Sequence, residues 1–123
     1  MFNKLLQNAP YFFWALLLIT SVGLLIELEP SKGGWPYWDK VQHMIIFATL
    51  TSIGWLAFIQ QRLWLYFALA FYGMLIEFLQ SALTVTRTGS LQDWLADVAG
   101  IVIATLLSTL ISSRFLPDLE PNK

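Results

Sequence analysis

Polar and apolar positions fall in blocks along this chain. Residues 5–26 carry no charge, and residues 41–61 carry one ionisable side chain, His43. Residues 63–83 contain Glu77 as their single charge, and residues 94–113 contain Asp97. A bilayer core takes about 20 apolar residues as helix. The pattern therefore predicts an all-α bundle of four transmembrane helices at residues 11–28, 41–59, 63–83 and 94–115, with Pro10 at the entrance of the first. Only Gln60, Gln61 and Arg62 separate the second and third segments, so these should form an antiparallel hairpin. The other two connections are short, and the polar tail from Leu116, with two prolines, should fray. There is no linker, repeat or low-complexity tract, so residues 1–123 read as a single domain.

Lys4 before an apolar run, with Ser21 and Gly23 beyond it, also fits a cleaved signal peptide. The run continues to Leu28, however, past the ~7–15 residues of a typical h-region, which favours a retained helix.

Composition agrees with the block pattern. The chain is 57% hydrophobic and 12% charged, about half the charge of an ordinary soluble domain. Its net charge of −1 offers no basic surface, so nucleic acid is not an expected partner and membrane lipids are. Absence of cysteine removes disulfides, thiolate metal sites and cysteine nucleophiles. Six Trp and nine Phe suit aromatic belts at the membrane interfaces.

Charge distribution sets an orientation. Lys4, Arg62, Arg114 and Lys123 fall on one side, and Lys32, Lys40 and Arg87 on the other. If Lys40 and Arg87 are kept for a site, the positive-inside rule places both termini in the cytoplasm.

On that topology the unusual polar residues collect at the outer face. Asp39, Lys40 and His43 open the second segment, Glu77 and Gln80 close the third, Arg87 lies in the following loop, and Asp93 and Asp97 open the fourth. Asp39 and His43 are four apart and Glu77 and Gln80 three apart, so each pair shares a helix face. Asp93, Ala96, Asp97 and Gly100 share another, continued by Ala104, Ser108 and Ser112 as a small-residue stripe that admits a close neighbour.

Ordinary roles exist for most of these residues. Asp39 with Gln42, and Ser90 with Asp93, have capping-box spacing. Lys40 can snorkel to the interface, Gln80 can link helices, His43 can be satisfied by Asp39, and Arg87 can sit solvated in its loop. Glu77 and Asp97 fit such roles least. Glu77 lies six residues inside its segment, about 9 Å along a helix, where an acid costs on the order of 3 kcal/mol. Such a residue needs a named partner. Arg87 is the expected one, with the pair flanked by His43 and Asp97.

Four stretches carry a resemblance. WDKVQHMIIF from Trp38 to Phe47 resembles the D-K-x-x-H motif of the VanZ-like family of bacterial membrane proteins. EFLQ at Glu77 to Gln80 resembles its E-x-x-Q, and Arg87, Ser90 and Asp93 its R-x-x-S-x-x-D. Ala96 to Gly100 is similar to its A-N-x-x-G, with Asp97 in place of the usual Asn, which bears on any role needing a neutral amide. The resemblance spans Trp38 to Gly100 and implies a multi-pass four-helix bundle in the bacterial cytoplasmic membrane. It also implies a relation to glycopeptide resistance, chiefly to teicoplanin, which is a phenotype class and not a reaction.

Two functions follow as expectations. In the first, the cluster binds or modifies a lipid head group or a lipid-linked cell-wall component. His43, Glu77 and Arg87 are then candidate catalytic residues, and Asp39, Lys40, Gln80, Asp93 and Asp97 candidate binding residues. In the second, the cluster is a non-catalytic polar lock in a module that acts through partners. No cofactor is indicated. A metal held among Asp39, His43, Glu77, Asp93 and Asp97 ranks third, because one imidazole with scattered carboxylates is not a diagnostic ligand set. An ion pathway ranks lower, since no polar residues continue to the far face.

Overall fold

The computed structural model describes residues 1–26, 35–85 and 89–119. Among these residues four α-helices run in order: α1 Phe2–Leu25, α2 Trp38–Ala57, α3 Arg62–Leu83 and α4 Leu91–Phe115. Short 3-10 turns follow α2 at Ile59–Gln61 and α4 at Pro117–Leu119. Three stretches are long and apolar enough to cross a membrane: Phe2–Leu25, Ile59–Leu83 and Leu91–Phe115. The helix α2 carries Asp39, Lys40 and His43 in its opening turns and packs mainly on α4, then on α1.

The helices assemble with their polar side inward. Phe12, Leu18 and Ile19 of α1, Trp64, Phe67 and Phe71 of α3, and Leu106, Leu110 and Ile111 of α4 all face outward. His43, Thr51, Gln80, Asp93 and Asp97 are buried. In water this distribution would leave a wide apolar surface uncovered. In lipid it is the favourable one, because hydrocarbon solvates the outer side chains and polar groups must find partners within the bundle. The apolar part of the core is built from Phe13, Phe47, Leu50, Leu65, Leu69 and Ile101.

Small residues set the closest approach. A Cβ at Gly100 would collide with the Met44 carbonyl oxygen and lie 3.1 Å from the Ala48 nitrogen. The backbones of α2 and α4 therefore touch directly there. Ala96, Gly100, Ala104 and Ser112 are buried along this seam, as the stripe predicts.

Boundaries depart from the sequence expectation in two places. The helix α1 starts at Phe2 and passes through Pro10, so Pro10 lies inside the helix and not at its entrance. Phe2, Leu5, Leu6, Ala9 and Phe13 follow helical spacing across the proline, and Ala9 and Phe13 are buried. Packing of that face outweighs the missing amide at Pro10, which a spanning helix tolerates better than a soluble one. The second departure is the tail, which docks at 117–119 instead of fraying: Leu119 is buried, and its carbonyl accepts from Arg62 Nη2 at 2.8 Å.

Arg62 serves as a staple at this end of the bundle. Its Nε donates to the Trp55 carbonyl at 3.3 Å, and its guanidinium lies 3.3 Å from the Trp55 ring centroid. Charged hydrogen bonds of this kind contribute about 1.5–3 kcal/mol. Arg62→Ala is expected to lower thermal stability in detergent and to expose the 117–119 turn to carboxypeptidase. Unchanged melting and unchanged digestion would remove the staple from this account.

Candidate functional site

The opposite end of the bundle collects the end of α1, the start of α2, the end of α3 and the start of α4. His43, one turn inside α2, is fully buried, and its Nδ1 lies 2.8 Å from Asp97 Oδ1. The same nitrogen is 3.4 Å from Glu77 Oε1 on α3. Three helices thus each contribute one ionisable side chain to a single point. Asp97 is as buried as His43, while Glu77 retains a little exposure.

Glycine makes room for this arrangement. A Cβ at Gly73 would stand 2.8 Å from Asp97 Oδ2, so α3 presents bare backbone where the Asp97 carboxylate needs space.

Glu77 is held at its other oxygen by the start of α4. Ser90 N–H donates to Glu77 Oε2 at 2.8 Å, while Ser90 Oγ accepts from the Asp93 N–H at 3.1 Å. The expected capping box is therefore half formed. Ser90 caps the helix, but Glu77 takes the reciprocal place that Asp93 would have filled. The Asp93 carboxylate is left to pair with Lys40 Nζ at 3.2 Å, with Asp93 buried and Lys40 partly exposed.

Asp39 borders this centre, with a carboxylate oxygen within 4.8 Å of a His43 ring nitrogen, and Gln80 turns away from it. Asp39 is exposed in the first turn of α2, and the N-cap is Tyr37, so Asp39 is not the expected cap. Chain geometry explains the shift: the helix begins at Trp38, one residue before Asp39, leaving the acid beside the amides it was expected to precede. The buried Gln80 turns toward α1, where its Nε2 donates to the Leu24 carbonyl at 2.8 Å. That carbonyl lies in the last turn of α1, so Gln80 ties the end of α1 to α3. Arg87 lies outside the described residues, and with it the expected Glu77–Arg87 pair. Among the described residues, the groups facing Glu77 are His43 and the Ser90 amide.

Sequence reasoning missed Ser81 and Trp94 near Glu77 and gave Ser90 a capping role only. Ser81, Ser90 and Trp94 line an open groove of about 420 Å³ together with Met74, Glu77 and Phe78. Ser81 stands one turn beyond Glu77, and its Oγ accepts from the Gly89 N–H at 3.1 Å. The i, i+4 relation of Glu77 and Ser81 was the available signal. Trp94 Nε1 donates to the Ala70 carbonyl at 2.9 Å, fixing the ring across α3.

Among the described residues, three atoms in this centre have no hydrogen-bond partner: His43 Nε2, Glu77 Oε1 and Asp97 Oδ2. Buried polar groups are normally satisfied, so three orphans at one point call for a physical cause. The arrangement can hold a proton between acid and imidazole, accept a hydrogen bond from a ligand entering at Glu77, or bind a cation. The chain matches no family model, no curated protein and no solved structure.

Proposed function

We propose that this chain is a VanZ-like protein of the bacterial cytoplasmic membrane that binds or modifies a lipid head group or lipid-linked cell-wall component at its outer face. In this reading α2 also spans the bilayer, as the fourth transmembrane helix. Its 20 residues extend about 30 Å, the thickness of the hydrocarbon core. Both termini are cytoplasmic, which puts the site outside. A reporter active only in the cytoplasm, fused after Lys123, is expected to be active; activity confined to an extracytoplasmic reporter would invert the orientation.

One observation carries the reading. Glu77 joins a buried His43–Asp97 pair on one side and lines an open groove on the other. A head group entering between Ser81, Ser90 and Trp94 would meet the Glu77 carboxylate first, as the proton acceptor, with the His43 ring held by Asp97 behind it. Arg87, three residues before Ser90 in sequence, supplies the guanidinium suited to a phosphate. Purified protein is expected to bind phospholipid head groups and to lose that binding on Arg87→Ala. In cells, gene deletion or overproduction should change sensitivity to glycopeptides, detergents or membrane-active peptides. An unchanged response across that panel would count against the envelope role.

The polar-lock reading has its own support. His43–Asp97, Lys40–Asp93 and Gln80–Leu24 each join two helices, so the cluster also acts as a clamp. Full activity in cells after Glu77→Gln and Arg87→Lys would favour that reading.

A further inference from the structure

We propose that His43, Glu77 and Asp97 form a binding site for one divalent transition-metal cation, of the Zn²⁺ or Mn²⁺ class. The sequence leaves these ligands scattered over three segments; the fold brings one ligand atom from each within 4.8 Å of the others. His43 Nδ1 lies 2.8 Å from Asp97 Oδ1 and 3.4 Å from Glu77 Oε1. Ligands about 2.0–2.2 Å from a common metal stand at separations of this order.

Charge balance supports the same assignment. Lys40 is engaged by Asp93, so among the described residues one imidazole faces the two carboxylates of Glu77 and Asp97. Even a protonated His43 would leave one negative charge uncompensated. A divalent cation with a neutral imidazole balances the Glu77 and Asp97 carboxylates, while the nearby Asp39 is exposed and solvated. Glu77 Oε1, on a side chain 9% exposed, has no hydrogen-bond partner among the described residues and is directed at His43 Nδ1. A cation at this point would satisfy it.

Ligand chemistry narrows the ion. The imidazole suits Zn²⁺ and the two carboxylates admit Mn²⁺, whereas Mg²⁺ and Ca²⁺ prefer all-oxygen shells. Three protein ligands with access from the Glu77 groove leave a further coordination position for water or a ligand oxygen. Asp39, His43 and Asp93 also come within 4.8 Å of one another. That set is weaker, because Asp39 is exposed and Asp93 is committed to Lys40.

The inference rests on the geometry of three residues and not on the head-group reading, so each can fail alone. The full chain, purified in detergent and stripped with chelator, is titrated with Zn²⁺ or Mn²⁺, and bound metal per chain is measured after buffer exchange. One equivalent of at least one of the two is expected. His43→Gln and Asp97→Asn should each weaken binding beyond the ~10–100-fold typical of outer-shell changes. Ser52→Ala, on the exposed face of α2, should bind as wild type. Failure of the wild type to retain either ion, or full binding by His43→Gln, would overturn the site. Should His43→Gln not fold, X-ray absorption of the metal-loaded wild type decides: an imidazole with oxygens in the first shell is expected, and a shell without imidazole refutes the assignment.

Discussion

His43→Ala is expected to be among the most damaging single substitutions in the chain, with most of the folded protein lost from detergent extracts. The imidazole is fully buried and faces carboxylates from two other helices. Removing it leaves Glu77 and Asp97 as two acids sharing a desolvated space. Breaking a buried charged pair by deleting one partner costs about 3–5 kcal/mol, because the other is left uncompensated. Asp97→Ala should cost a similar amount. The informative variant is the double replacement His43→Leu with Asp97→Leu, which removes both partners and fills the volume. It is expected to be milder than the sum of the two single leucine changes, since the uncompensated group is removed along with its partner. Strictly additive losses in melting temperature would show that the two side chains do not act as a unit.

Gly100→Ala should have the second-largest effect, although it adds one methyl group to a helix. Alanine is the better helix former by about 1 kcal/mol, so a gain is expected if the position is open. It is not open: the added carbon would meet the backbone of α2 at Met44 and Ala48. Backbone cannot rotate away as a side-chain tip can, so α2 and α4 must separate. Overpacking typically costs about 1–3 kcal/mol, and here the separation also stretches the His43–Asp97 hydrogen bond one turn away. Gly23→Ala is the control, since nothing lies within 4 Å of a Cβ there. Gly100→Ala should lower the yield of folded protein and Gly23→Ala should keep or raise it. Equal yields would mean that the α2–α4 seam is looser than described.

The elements most legible from sequence are those fixed by one local rule. Charge gaps located α2, α3 and α4 to within three residues at either end, because an apolar helix packed into a bundle cannot carry unpaired charge inside it. The stripe of Ala96, Gly100, Ala104, Ser108 and Ser112 foretold a close seam because small side chains at helical spacing leave a groove; of the five, Ser108 is only half-buried. His43 and Asp97 were placed inward by depth and face. What sequence left undecided depends on competition between partners. His43 had Asp39 one turn away on its own helix, yet it bonds Asp97, whose carboxylate gains space from Gly73. Asp93 was assigned to the Ser90 cap, but Glu77 reached the Ser90 amide, and Asp93 took Lys40 instead. Pairings of this sort are settled by how three helices rotate about one another, and spacing within a single helix does not contain that information. The start of α1 was misplaced because a rule about proline was applied without the packed face that overrides it.

Gly73 and Asp97 do not touch through any side chain of the glycine, yet each restricts what the other position can become. The absent Cβ at Gly73 is the space that Asp97 Oδ2 occupies. As the sequence drifts over generations, a larger residue at position 73 becomes admissible only after position 97 has shortened or turned away. A carboxylate at position 97 can likewise be gained only in a lineage that already has glycine at 73. The two positions, on α3 and α4, should therefore change together or in a fixed order, leaving a historical trace of a contact made by a missing atom.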